Sequence, residues 1–353
     1  MVLQSERFKA FVKLGTFLRS AAVGLHVEED ILNPSDPWQK KLYKSAVLAA
    51  QENGWFTMQN IRHALATWGE ALHEEQLHRW LSDYSIPKVH AKNVAVIMAG
   101  NIPLVGFHDF LTVLILGHSA QVKCASNDRQ LLPLLAGYLI SVEPKLKEAI
   151  FFTEGPLKKY DAVIATGSNN TSRYFQYYFG RKPHIIRKNR NSVAILEGDE
   201  SPQELLALGA DIFTYFGLGC RNVSKLFVPE TYDFEIFFNA IEPFAEIATH
   251  RKYANNYDYN KAVYLMSEFP IMDNGFLLLK EDTSYGSPIG TLYFERYEQP
   301  ESLQHRLETD RAQIQCMVRK RGTNLAIPFG TTQHPALWDY ADGVDTVDFL
   351  LKT

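Results

Sequence analysis

Residues 93–128 read NVAVIMAGNIPLVGFHDFLTVLILGHSAQVKCASND, and the succession of textures inside that stretch decides the fold class. A short apolar run, VAVIMA, stops at Gly100-Asn101. An apolar segment of helical length follows over 107–117, then a second short run, AQVKCA. The apolar core of the stretch is long enough to raise the question of a membrane span. Asn101, Pro103, His108 and Asp109 interrupt it, and in lipid each polar group would need an internal partner. The pattern predicts a buried strand, a turn, a buried helix and another strand.

Working outward, the alternation continues with QLLPLLAGYLISVEP and DAVIATG, then NSVAILEG, SPQELLALGADIFTYFG and SKLFVP. Strands alternating with helices of this size predict β-α-β units and a parallel sheet covered on both faces. Residues 1–90 read instead as helices, with Asp36 before Pro37 as a start signal and Gly54 as a stop. Later segments supply the strands FLLLKED, GTLYFERY and IQCMVRK, a helix over 300–312, and a short apolar strand near DTVDFLL. With 353 residues and no repeat or flexible linker, two closely packed lobes are expected.

Composition excludes several classes. A net charge of −4 gives no field for nucleic acid, so no nucleic-acid partner is expected, and the basic run RKPHIIRKNR (181–190) is local. That run reads as a solvated loop or strand edge, or as a phosphate contact. Three cysteines, Cys124, Cys220 and Cys316, are far apart and lack C-x-x-C spacing, which argues against a disulfide framework or a cysteine zinc site. MVLQSERFKAFVKLG lacks the layout of a secretory leader, so a cytoplasmic protein without an integral membrane segment is expected.

Four turns gather the residues with chemical potential. In MAGNIPLVGFHDF, Asn101 follows a strand where a parallel sheet opens to its ligand, and its amide suits either an oxyanion or the turn backbone. In VKCASND, Lys123 ends a strand, while Ser126, Asn127, Asp128 and Arg129 open a helix, a setting for ribose hydroxyls or phosphate. In ATGSNNTSRYF, Gly167 and Ser168 stand at a strand-to-helix turn that fits a pyrophosphate or an ordinary cap, without the G-x-G-x-x-G fingerprint. In GLGCRN, Cys220 lies between a helix and a strand beside Arg221, and serves equally as core filler or as a thiolate nucleophile. Cys124 reads as a buried apolar residue, and His108, His250 and His334 read as structural histidines.

Taken together, AGNIPLVGFHDF, GSNNTSRYF, HIIRKNRNSVAIL, GLGCRNVSKLFVP and LWDYADGVDT resemble in order and spacing the LuxC-like acyl-CoA reductases, a branch of the aldehyde dehydrogenase superfamily. The resemblance spans roughly 90–353. It implies an α/β fold of two lobes, a Rossmann-like parallel sheet and a catalytic lobe. It further implies Asn101 as oxyanion donor, Lys123 and Ser126 near the adenosine ribose, Gly167 and Ser168 at the cofactor pyrophosphate, and Cys220 as nucleophile. PFG at 328–330 matches a loop beside the active site. The implied organisation is a helical part of the cofactor lobe over 1–90, a Rossmann-like cofactor lobe over 91–190, and a catalytic lobe over 191–328. An active-site loop and an oligomerisation strand complete it over 329–353.

Two departures sharpen the reaction. Arg187 stands where aldehyde dehydrogenases carry the glutamate that activates water, so hydrolysis of an acyl-enzyme is disfavoured and reduction favoured. The glutamate that follows the ribose lysine is replaced near Ser126, leaving room for a 2′-phosphate and favouring NADPH over NADH. The glutamate of the loop that holds the nicotinamide ribose has no counterpart near YGSPIGTLYF. The expected activity is NADPH-dependent reduction of a long-chain acyl-CoA to the aldehyde, with no metal. The alternatives are an NAD(P)-dependent aldehyde dehydrogenase and a non-catalytic acyl-channelling subunit. Expected partners are acyl-CoA or another acyl thioester, an acyl-protein synthetase or acyltransferase subunit, and further copies of the chain.

Overall fold

The computed structural model describes residues 5–25, 36–86, 90–321 and 326–353. Met1–Gln4 of the stretch read for a leader, and 26–35, 87–89 and 322–325 of the expected segments, lie outside the described residues. The chain divides into two compact units, Met1–Lys188 with Ala336–Thr353, and Asn189–Pro335.

The first unit opens with four helices: α1 (Glu6–Gly24), α2 (Pro37–Glu52), α3 (Met58–Ala71) and α4 (Glu74–Ser82). Asp36 caps α2 by accepting the Trp38 N–H, and Pro37 takes the first turn, where a missing N–H costs nothing. Then β1 (Asn93–Ile97), α5 (Phe107–Ile115), β2 (Ser119–Lys123), α6 (Leu131–Val142), β3 (Ile150–Phe152), β4 (Ala162–Thr166), α7 (Asn169–Phe179) and β5 (His184–Arg187) follow. The strands form one sheet in the order β3-β2-β1-β4-β5 with every pairing parallel. Central β1 and β4 are almost wholly apolar and buried, as a sheet covered on both faces requires. The basic run RKPHIIRKNR contains β5, an edge strand, which matches the strand-edge reading.

Helix α6 begins at Leu131, not at Ser126–Arg129 as the sequence suggested. Asp128 explains the difference: it is buried, and its carboxylate accepts the Leu104 N–H instead of capping a helix. The terminal segment is likewise corrected. DTVDFLL is a helix, α12 (Thr346–Lys352), not a strand. Asp345 accepts the Asp348 N–H as its cap, and Val347 and Leu350, three apart on one face, are buried.

A buried ion pair fixes this return of the chain. Arg187, at the end of β5, donates to Asp109 of α5 and, at 3.1 Å, to Thr346 Oγ1 at the start of α12. All three residues are buried. His108, half-buried, donates through Nε2 to Leu337 O at 2.8 Å, and desolvation lowers its pKa. Trp80 Nε1 donates to the Tyr340 hydroxyl, and Tyr84 donates to Asp345. The LWDYADGVDT motif is thus the seat on which the C-terminal segment rests.

The second unit contains β6 (Asn191–Ile195), α8 (Pro202–Phe213), β7 (Val223–Pro229), α9 (Phe234–Ile241), α10 (Arg251–Met266), β8 (Ile271–Asp273), β9 (Leu278–Glu281), β10 (Thr291–Tyr297), α11 (Pro300–Thr309), β11 (Ile314–Arg319) and β12 (Ile327–Pro328). Ser201 and Glu204 make a reciprocal capping box at the start of α8. The sheet runs β12-β11-β6-β7-β10-β9-β8, parallel except between β8 and β9. Lys225 on β7 is fully buried, with Nζ donating to Asp282 O and Glu295, which also pairs with Arg306.

Arg187→Met leaves Asp109 charged and buried, and is expected to cost about 3–5 kcal/mol. Arg187→Met with Asp109→Leu is expected to recover most of that loss. Urea denaturation checks this, and equal midpoints for the single and double variants would contradict it.

Candidate active site

In the first unit, the sheet order reverses direction between β1 and β4, which makes the edge beyond their carboxyl ends the ligand crevice of such a sheet. Five residues singled out from the sequence lie there. Asn101 follows β1, Lys123 ends β2 with Ser126 beyond it, and Gly167 and Ser168 follow β4.

The turn after β4 fits an anion. Ser168 is the N-cap of α7, its Oγ accepting the Thr171 N–H at 3.2 Å, so the cap reading holds and the helix N-terminus stays at the turn. A Cβ on Gly167 would meet Phe175 at 3.0 Å and Thr171 at 3.1 Å, so glycine keeps this turn tight. Around β2, Lys123 Nζ lies 3.4 Å from Gly155 O, Ser126 is exposed, and Arg129 pairs with Glu154 at 2.8 Å. The turn's own carboxylate, Asp128, faces inward to Leu104. Burial pushes it up to about 7, opposed by the Leu104 N–H and assisted by Glu52.

Asn101 sits on a loop that no strand pairing holds. Gly100 O accepts from Asn53 Nδ2 at 3.2 Å and from Asn127 Nδ2 at 3.1 Å. Asn53 is signalled by no motif, and Asn127, although it stands in the VKCASND turn, gives no local sign of its partner, because both act on a residue far off in sequence.

Cys220 belongs to the second unit, on the turn between α8 and β7 where the sequence placed it. It is exposed, whereas Cys316 is buried and Cys124 is partly buried. Burial pushes the Cys124 thiol up to about 12, which excludes it as a thiolate near neutral pH.

The Cys220 turn is strained and heavily tied. Tyr215, Phe216 and Gly217 have φ of 57°, 60° and 76°, three successive left-handed residues, two of which carry a Cβ. Such conformations cost on the order of 1–2 kcal/mol per non-glycine residue and persist only where the surroundings impose them. Asn222 imposes them here. It is buried, its Nδ2 donates to the carbonyls of Asp211, Ile212 and Thr214 at 3.0, 3.3 and 2.7 Å, and its Oδ1 accepts the Gly219 N–H at 2.8 Å. Phe216 stacks on His250 with ring centres 4.2 Å apart.

On the sheet side, Ser192 Oγ donates to Cys220 O at 2.9 Å and accepts the Cys316 N–H at 3.1 Å. The register of β6 is interrupted at this point against both β7 and β11, so a hydroxyl replaces ladder bonds. Arg221 donates through Nε to Thr332 O at 2.8 Å, which gives it a tether beside the cysteine. Buried Asp211 accepts from the Gly330 and Thr332 N–H groups and from Thr332 Oγ1, linking α8 to the PFG loop. Burial raises its pKa against these bonds. Sequence reading missed Asp211 and Asn222, although a carboxylate inside LLALGADIF and an asparagine opening a strand are both polar residues on apolar faces.

Among the described residues, no group of three or more His, Cys, Asp or Glu is arranged to hold a metal ion, and no helix is long and apolar enough to cross a membrane.

No protein-family model and no curated sequence matches the chain. Solved structures do. The aldehyde dehydrogenase KauB from Pseudomonas aeruginosa is similar over 92% of this chain and 72% of its own, at 11% identity and a TM-score of 0.59. An indole-3-acetaldehyde dehydrogenase complexed with NAD+ is similar over 91% and 73%, at 12% identity and a TM-score of 0.61. The P. syringae indole-3-acetaldehyde dehydrogenase AldA is similar over 92% and 73%, at 9% identity and a TM-score of 0.63. The chain has an α/β aldehyde dehydrogenase-like fold, as the resemblance of its motifs implied.

Asn222→Ala removes the amide group that serves three backbone carbonyls and is expected to cost about 2–4 kcal/mol. Faster hydrogen exchange at the Gly219 amide would accompany the loss, and unchanged exchange would refute the clamp. Asp128→Asn tests the other turn. A carboxyl raised on folding costs stability above its folded pKa, and the cost vanishes as pH falls towards the unfolded range. The variant should melt above wild type at about pH 8.5 and lose that advantage by about pH 4.

Proposed function

We propose that the protein is an acyl-CoA reductase of the LuxC-like kind, converting a long-chain acyl thioester to the aldehyde through a covalent acyl-cysteine. The observation that carries this reading is Cys220, an exposed cysteine on a strained turn held by Asn222, Ser192 and Arg221, within an aldehyde dehydrogenase-like fold. Strain fixed by surrounding bonds is how a scaffold holds a nucleophile in one orientation.

Cys220 thiolate attacks the thioester carbonyl. The new S–C bond forms as the oxyanion develops, stabilised by the Asn101 amide and the backbone N–H of Cys220, and the bond to CoA sulfur then breaks. The Gly219 and Asn222 N–H groups are spent inside the turn and are not the donors. CoA leaves as a thiolate and takes a proton from solvent. The nicotinamide cofactor, when bound, supplies the hydride that reduces the acyl-cysteine, and the aldehyde departs with the thiolate restored.

Cofactor residues fit the group. The N-terminus of α7 with Gly167 and Ser168 suits a pyrophosphate, and Lys123 suits a ribose. NADPH is favoured over NADH because the VKCASND turn exposes Ser126 and buries its only carboxylate, Asp128, so nothing on that turn repels a 2′-phosphate. Reduction is favoured over hydrolysis because Arg187, standing at the position of the water-activating glutamate, is a cation committed to Asp109 and Thr346.

The test is intact-mass spectrometry after incubation with a long-chain acyl-CoA and no NADPH. An adduct of one acyl group mapped to Cys220 is expected, and Cys220→Ala should lower turnover by roughly three orders of magnitude or more. Full turnover by that variant would end the proposal.

A further inference from the structure

Asn101 hangs on a loop whose backbone is past the sheet: β1 ends at Ile97, and the last ladder bond of that strand runs from Met98 N–H to Lys123 O at 3.0 Å. Beyond it, the Gly100 carbonyl is met by two side-chain amides instead of by another strand. A carbonyl oxygen has two lone pairs, and here two donors from elements 47 and 27 residues away fill both. We propose that Asn53 and Asn127 are positioning residues for Asn101, acting together through the Gly100 carbonyl. This deepens the reading of the site given above and rests on Asn101 being the oxyanion donor.

The geometry carries the assignment. The Gly100–Asn101 peptide is planar, so holding its oxygen also holds the Asn101 N–H and the direction in which Cα leaves the plane. Asn53 is a stiff anchor: it is 4% exposed, it is the C-cap of α2, and its Oδ1 accepts the Trp55 N–H at 3.1 Å. Asn60 braces the same corner by donating to Trp55 O at 3.2 Å. Asn127 approaches Gly100 so closely that a Cβ there would stand 2.4 Å from Asn127 Oδ1 and 2.7 Å from Ala125 Cβ. Glycine is required at 100 by that approach. The same turn grips the loop a second time through Asp128, which accepts the Leu104 N–H at a residue with φ of 59°.

Two consequences follow for the molecule. The helices over 36–86 gain a part in the chemistry, since α2 delivers Asn53. The turn bearing Ser126 and the loop bearing Asn101 are also one mechanical piece, joined by Asn127 and Asp128. An oxyanion donor must be placed within a few tenths of an ångström, and a misplacement of about 1 Å costs on the order of 100-fold.

The experiment compares Asn127→Ala, Asn53→Ala, Asn101→Ala and the double variant Asn101→Ala/Asn127→Ala. Asn127 is exposed, so its variant should fold even if the Asn53 variant does not. The readouts are the rate of Cys220 acylation by palmitoyl-CoA and the melting temperature. Asn127→Ala is expected to slow acylation, measured without NADPH, about 10- to 100-fold with melting temperature unchanged. In the Asn101→Ala background it should add less than about twofold, because residues acting through one group are non-additive. Wild-type acylation in Asn127→Ala, or an equal loss with and without Asn101, overturns the inference alone. Absence of acylation in the wild-type protein overturns both it and the proposed function.

Discussion

Parallel pairing is the constraint on which the first unit depends. Every ladder in its sheet is parallel, so each strand must return by a crossover, and all carboxyl ends emerge on one edge. Asn101, Lys123, Ser126, Gly167 and Ser168 are far apart in sequence and fall on that edge for this reason alone. The reversal of strand order between β1 and β4 then opens the edge where two of these turns lie side by side.

Backbone past the end of a strand has lost its ladder partners, and the two units solve that problem alike, with side chains. In the first, Asn53 and Asn127 occupy the Gly100 carbonyl. In the second, Asn222 takes three carbonyls at the end of α8, and Ser192 bridges the backbones of Cys220 and Cys316 where the register of β6 breaks. Buried carbonyls and amides must be paired, and short polar side chains pair them without imposing a regular element. The loops are thereby tied down by hydrogen bonds while remaining irregular.

Arg187 shows how one residue carries two messages. In the proposed reading it stands where a base would otherwise activate water. In the fold Arg187, one residue before the first segment of the first unit ends at Lys188, forms a buried ion pair with Asp109 and reaches Thr346. A guanidinium stays protonated and accepts no proton, and here its contacts seat the C-terminal segment.

The sequence by itself determined the alternation of strands and helices, the helical first quarter, and the position of Cys220 on a helix-to-strand turn. Those follow from apolar periodicity and from turn residues, which act over a few neighbours. It misread DTVDFLL as a strand and 126–129 as a helix start. A run of seven residues does not distinguish the two periods, and Asp128 spends its carboxylate on Leu104, a partner 24 positions away that no local pattern reveals. Only the tertiary structure decided which polar residues brace the turns of each unit from a distance. Asn53, Asn127, Asp211 and Asn222 act through hydrogen bonds to backbone brought near by packing, and packing is a property of the whole chain.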